Sequence, residues 1–177
     1  MDEYLDVLDK KGKKTGKIKK RKHIHRLGNW HYSVHIWLIN SENKLLIQKR
    51  SLNTEISSGF WTISASGHVK SGETTLQTAI KETKEELGID IKEKEIKLFT
   101  TYVKSKEYID KGIKDNEFNI IFIVCKNIND FNIDKKEVEK IRFASISEIQ
   151  ELIKDKKFRP DNRRYHKLLF DYFKNNF

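Results

Sequence analysis

The segment between Gly67 and Ile89 limits what this chain can fold into more than any other. It reads Gly67, five residues, Glu73, seven residues, then Lys81-Glu82-Thr83-Lys84-Glu85-Glu86-Leu87-Gly88-Ile89. Residues three and four apart share one face of an α-helix at 3.6 residues per turn, so Glu82, Glu85 and Glu86 gather on one side. Leu76, Ala79, Ile80, Thr83 and Leu87 fall on the opposite stripe as a core-facing set, with Thr83 its least apolar member. Gly88 ends such a helix where a left-handed residue is wanted, and Gly67 and Gly72 let the preceding loop pass close to a metal or a phosphate. Three carboxylates that close repel one another unless a cation lies between them, and hard oxygen ligands suit Mg²⁺ or Mn²⁺.

At 177 residues the chain has the length of one domain with a single core. Its charged fraction of 35% is high, yet apolar runs recur throughout, which confines a disorder-like composition to the N-terminal stretch and the termini. A net charge of +10 admits nucleic acid, an anionic membrane surface or an anionic small substrate as partner. The dense basic run, residues 10–26 with Lys17, Lys19, Lys20, Arg21 and Lys22, has little of the aromatic interleaving that single-strand binding platforms use. It reads as a solvated basic face or one that attracts phosphorylated substrates, and a nucleic-acid partner is not expected. Cys125 is the only cysteine, so no disulfide framework or CxxC site forms, and its apolar neighbours 119–124 predict a buried core thiol. The first residues carry no apolar signal region and no stretch approaches 18 apolar residues, so the expected protein is cytoplasmic with no membrane partner. No pattern speaks to oligomeric state.

Along the chain, residues 4–7 predict a short strand and Asp9-Lys10-Lys11-Gly12 a turn. Residues 30–39 and 44–49 predict a hairpin across Asn40-Ser41-Glu42-Asn43. Beyond the carboxylate helix, 96–103 and 118–125 predict two paired strands separated by a charged loop with Gly112, and 140–144 a last strand. Ser147 is the expected cap of a helix reaching Ile153. Residues 162–174 predict a second helix with Tyr165, Leu168, Leu169, Tyr172 and Phe173 on its core face. These elements make an α/β fold, a mixed β-sheet flanked by helices, with residues 1–28 as an N-terminal strand and basic segment packed on a core domain of 29–177.

The Gly67–Ile89 pattern resembles the Nudix box, whose usual form has arginine where Lys81 stands and an apolar residue where Thr83 stands. Gly67, Glu73, Glu82, Glu85, Glu86 and Gly88 all fall at motif positions. At roughly 7% usage per residue type, six such matches arise by chance on the order of once in ten million starts, which outweighs a solvated helix in a glutamate-rich chain. The resemblance implies a Nudix-type α/β/α sandwich and hydrolysis of a phosphoanhydride bond in a nucleoside-diphosphate-like molecule, X linked to diphosphate. In that pattern Glu82, Glu85, Glu86 and the Gly67 carbonyl hold Mg²⁺ or Mn²⁺, Glu85 or a distant carboxylate acts as base, and Lys81 braces the loop. Glu117 is the first distant candidate for the base and Glu137 the second; Arg50, His68 and Lys81 are the candidate substrate contacts.

The likeness runs over nearly the whole chain. Tyr4-Leu5-Asp6-Val7-Leu8-Asp9, Gly16, Arg21, His25, His31, Trp37-Leu38-Ile39-Asn40, Leu45 to Arg50 and Trp61 are similar to the Nudix subgroup related to type 1 isopentenyl-diphosphate isomerase. Those isomerases hold a metal with three histidines and two acidic residues, and His25, His31, His68, Asp115 and Glu117 stand at the corresponding places, an isomerase-like second metal site. His23 and His35 read as structural or surface residues. Two departures argue for hydrolysis: Ser66 replaces the cysteine that isomerases use as acid-base group, and Glu82 and Glu85, which isomerases lose, are both present. Isopentenyl-diphosphate isomerisation and a non-catalytic nucleotide-binding or RNA-directed role are the alternatives. The group X is expected to be read by residues 50–58, the loop 104–116 and the C-terminal helix, with Phe60, Trp61 and Tyr102 as rings that could stack a base.

Overall fold

The computed structural model describes residues 3–159 and 163–176. In chain order the elements are β1 (Tyr4–Leu8), β2 (Lys14–Lys20), α1 (Arg21–Leu27), β3 (His31–Ile39), β4 (Leu45–Arg50), β5 (Trp61–Thr62) and β6 (Ala65–His68). There follow α2 (Thr75–Leu87), β7 (Ile96–Tyr108), β8 (Ile113–Cys125), β9 (Val138–Ala144), α3 (Ile146–Lys154) and α4 (Arg163–Asn176). Asn162, the expected first residue of the last helix, lies outside the described residues.

Seven strands form one mixed sheet in the order β5-β4-β3-β8-β7, with β6 also paired to β3 and β9 to β4. Strand β3 is parallel to β8 and antiparallel to β4 and β6. Its near-continuous apolar run is that of a strand covered on both faces. Val34, Ile36 and Leu38 pack with Ala79 and Leu87 of α2, while Trp37 and Ile39 pack with Ile149 of α3 and with Tyr165, Leu169 and Phe173 of α4. Alternation along the strand thus sends successive side chains to opposite helical layers, and the α/β/α sandwich follows.

Helix α2 starts at a capping box: the Gln77 amide N–H donates to Thr74 Oγ1 at 3.1 Å and the Thr74 N–H to Gln77 Oε1 at 2.9 Å. It stops at Gly88, whose φ of 75° belongs to the left-handed region. Thr83, the polar residue on the core stripe, is fully buried and satisfied because its hydroxyl donates to the Ala79 carbonyl at 2.8 Å.

The basic N-terminal segment is folded rather than disordered. Strands β1 and β2 pair antiparallel, Leu5, Val7 and Ile24 form a small apolar cluster, and Ser71 N–H donates to the Tyr4 carbonyl at 2.8 Å, which ties β1 to the loop before α2. Residues 104–116 are no open loop. Strands β7 and β8 continue their ladder through Tyr108 and Ile113, and only a tight turn at 109–112 leaves it. Ser145, not Ser147, caps α3, since it has Glu148 at the reciprocal position of a capping box. Cys125 is exposed because it ends β8 at the sheet margin. On α4, Leu168 is turned to solvent, and His166 and Phe170 take the buried places beside Leu169.

Candidate active site

Gly67 is where the loop and α2 touch. A Cβ built on Gly67 would lie 2.2 Å from Glu82 Cδ, so only glycine lets the β6 backbone approach this carboxylate. Glu73 fastens the loop from the other side: Lys81 Nζ lies 2.7 Å from Glu73 Oε1, and the Thr78 hydroxyl donates to Oε2 at 2.8 Å. Burial would lift the Glu73 pKa, but these donors hold it below the usual carboxylate range. Lys81 is not among the residues lining the cavity; it lies against Glu73, with Glu82 a further 3.9 Å contact.

The cavity beside Gly67 has a volume of about 130 Å³. Glu82, Glu86 and Glu137 line it together with Arg21, Arg50 and Arg159 and with His25, His68, Asp115 and Glu117. Glu86 is buried and accepts a 2.6 Å hydrogen bond from Gln48 Nε2. Burial, then the charges of Glu82 and Glu137, push its pKa well up; burial, outweighing Lys81 and aided by Glu85 and Glu137, raises Glu82 to about 7. Arg50 donates to the Ile56 carbonyl at 3.1 Å, and burial together with Arg159 lowers its pKa. Glu85 is exposed and borders an outer groove with Asn132, Asp134 and Glu137. Glu82 and Glu86, four residues apart, therefore face the cavity, whereas the roll of α2 leaves Glu85 outside it.

The histidines and their acidic neighbours form a compact cluster. The rings of His25, His31 and His68 are mutually 5.1 Å apart, and their ligand atoms lie within 4.8 Å of one another, as do those of His31, Asp115 and Glu117. Strand register explains it: His31 is paired with Glu117 across β3–β8, and Ser33 with His68 across β3–β6. His31 Nδ1 lies 3.1 Å from the Asn29 carbonyl, which keeps the proton on Nδ1 and leaves the Nε2 lone pair facing the cluster. His25 Nε2, His31 Nε2 and Asp115 Oδ1 are buried and make no hydrogen bond. Burial and His31 lower the pKa of His25, and burial, Arg21 and His31 lower that of His68 well below the usual range.

Lys104 completes the cluster, and nothing in the sequence singled it out. It is buried, with Nζ 2.7 Å from Asp115 Oδ2 and 2.6 Å from Glu117 Oε2. Burial would raise the Glu117 pKa, but Lys104, His31 and His68 hold it well below the usual range. His35, expected to be structural or on the surface, is buried and lines the cavity with Ser33 and Ser66. Glu3 and Arg21, 3.0 Å apart, bring the N-terminal segment into the wall.

The donor set suits hard divalent cations at two adjoining places. Glu82, Glu86 and the Gly67 backbone offer oxygen, and the three histidines with Asp115 and Glu117 offer mixed nitrogen and oxygen. The hydrogen-bond-free buried nitrogens of His25 and His31 and the glycine-only approach at Gly67 are the features that fit such ions.

A model of the NUDIX domain matches residues 29–169. The chain belongs to the Nudix family. Nudix hydrolase 3 of Arabidopsis thaliana is 31% identical over 157 residues, 86% of this chain and 20% of that protein, so the chain spans about a fifth of that relative. An uncharacterised Nudix hydrolase of Clostridium acetobutylicum is 32% identical over 160 residues, covering 88% of this chain and 76% of the other. The isopentenyl-diphosphate Delta-isomerase of Serratia proteamaculans is 29% identical over 123 residues, 70% of this chain and 66% of that one, in keeping with the isomerase-like subgroup. A solved Deinococcus radiodurans structure shares the fold over 98% of both chains at a TM-score of 0.70 and 17% identity. No described helix is long and apolar enough to cross a membrane.

Proposed function

We propose that this Nudix protein hydrolyses a phosphoanhydride bond in a nucleoside-diphosphate-like molecule, X linked to diphosphate, with Mg²⁺ or Mn²⁺ as cofactor. The observation that carries the proposal is the contact of Gly67 with Glu82 beside buried Glu86, in a cavity into which Arg50 projects. Glu82, Glu86 and the Gly67 carbonyl would hold a cation, which when bound neutralises the diphosphate and activates water. Arg50 and Arg21 orient phosphate oxygens, a task the planar guanidinium suits.

Three carboxylates compete for the role of base. Glu85 lies outside the cavity, and Glu117 is held by Lys104 with its proton affinity suppressed. Glu137 lines the cavity, and among the described residues its carboxylate has no hydrogen-bond or salt-bridge partner. Glu137 is therefore the base best placed to take a proton from attacking water.

Formation of phosphomonoester product, or release of phosphate from a free terminal diphosphate, across a panel of nucleoside diphosphates and diphosphate-bridged molecules tests the reading. Product is expected with Mg²⁺ or Mn²⁺ and lost in chelator. Silence across the panel with both metals present would sink it.

A second reading, isomerisation of isopentenyl diphosphate, is favoured by the assembly of His25, His31, His68, Asp115 and Glu117. Ser66 opposes it: this residue lines the cavity where carbon acid-base chemistry needs a group that ionises near neutrality, and a serine hydroxyl does not. Allylic product from isopentenyl diphosphate and Mg²⁺ would establish isomerisation.

A further inference from the structure

The catalytic cavity opens into a larger outer chamber of about 820 Å³. The two share Glu3, Arg21, His25, Glu55 and Glu137 in their walls, so a molecule seated in the inner cavity can extend into the outer one. The chamber adds positive charge and no new carboxylate. Lys20, Lys22, Arg26, Lys70 and Lys111 line it and are absent from the inner wall, whereas its three acidic residues are the shared ones.

These cations come from separate places in the chain: the end of β2, helix α1, the second residue after β6 and the β7–β8 turn. Lys70 lies 3.6 Å from Glu3, Lys111 donates to the Glu55 backbone carbonyl, and Lys20 lies over the Tyr4 ring. Lys22 and Arg26 differ. They are exposed, four residues apart on α1, and among the described residues pair with no carboxylate. Like charges at that spacing destabilise a helix, and an anion between them relieves the repulsion. A cationic mouth supplies longer-range attraction that brings a polyanion toward the inner cavity, into which Arg21 and Arg50 project.

We propose that the outer chamber is a second phosphate subsite, and that the substrate carries a phosphate monoester beyond the scissile diphosphate, held by Lys22 and Arg26. The inference rests on the inner cavity being the diphosphate site. A phosphate monoester carries nearly two negative charges at neutral pH, matching the two cations that pair with no carboxylate among the described residues. Specificity for X is then set partly by charge at the mouth.

Matched pairs that differ by one remote phosphate test this: CoA against 3′-dephospho-CoA, and NADPH against NADH. At low salt the phosphorylated member of whichever pair is turned over is expected to show a kcat/KM about tenfold higher, and the advantage should shrink as salt screens exposed charges. The double variant Lys22→Gln/Arg26→Gln, both at exposed positions, is expected to bring the ratio close to one, with its circular dichroism spectrum retained. A ratio within twofold in wild type, or a preference that survives the double variant, overturns the subsite. Hydrolysis of no member would instead count against the hydrolase assignment. Calorimetric titration of the same pairs then decides the subsite: it stands if the phosphorylated members bind about tenfold tighter to wild type and equally to the variant, and falls if wild type binds both members alike.

Discussion

Lys104 and Glu117 face each other across one rung of the β7–β8 ladder, with the ammonium nitrogen 2.6 Å from a carboxylate oxygen. The same ammonium lies 2.7 Å from Asp115, so one buried cation serves two buried carboxylates. This fixes the acidic half of the histidine cluster and keeps Glu117 ionised.

Removing that cation leaves two buried carboxylates with only histidine nitrogens nearby, 3.6 Å from Glu117 and 4.0 Å from Asp115. Breaking such a pair costs about 3–5 kcal/mol, so Lys104→Met is expected to lose about 3 kcal/mol in urea denaturation under chelator. Without the ammonium, burial raises the Glu117 pKa, and folding then favours its protonated form. The deficit should therefore shrink as pH falls through the carboxylate range, whereas a deficit that is flat with pH would contradict the ion-pair account.

Gly67→Ala should separate fold from activity. The added Cβ would meet Glu82 Cδ at 2.2 Å, Cγ at 2.5 Å and Oε1 at 2.5 Å. These atoms belong to one side chain that can swing away, so the fold survives while a proposed metal-holding carboxylate is displaced. We expect kcat reduced at least tenfold with the circular dichroism spectrum retained. Wild-type turnover would remove Glu82 from the site.

The carboxylates of the box helix and its neighbours should not be equivalent. Glu86→Gln is expected to lower turnover by orders of magnitude, and Glu137→Gln to lower kcat by roughly 10²–10⁴, the usual contribution of a general base, with KM little changed. Glu85→Gln, outside the cavity, should cost less than tenfold. A larger loss at Glu85 than at Glu137 in steady-state assays would return the role of base to the helix.

That ordering was not legible in the sequence. Adjacent helical residues differ by about 100° in direction, and whether Glu85 or Glu86 enters the site depends on the roll of α2, which Ala79 and Leu87 set against β3 and β6. The glycine loop, the amphipathic helix and the apolar strands were legible because spacing alone encodes them. Lys104 was not, since a buried lysine looks like any surface lysine until the register of β7 against β8 places it beside Glu117. Glu3 was hidden for a related reason: it reaches the cavity through packing of the N-terminal hairpin, which no local pattern reports.

Glu82 predicts a pH dependence of the metal-free protein. Burial raises its pKa from 4.5 to about 7, so between those values the folded state binds more protons than the unfolded one, and stability falls as pH rises. Burial lowers the pKa of His25 and His68, and these residues act oppositely: their contribution is present above pH 6.5 and lost as pH falls. The difference between wild type and Glu82→Gln isolates the carboxylate. In chelator the glutamine variant should gain on wild type from pH 4.5 to 7 by up to about 3 kcal/mol, read as a growing difference in Tm. Added Mg²⁺ should cancel that gain at neutral pH, because a cation at Glu82 and Glu86 favours their charged forms. A Tm difference that stays constant across this range would show that Glu82 titrates normally and is not buried against Gly67 as described.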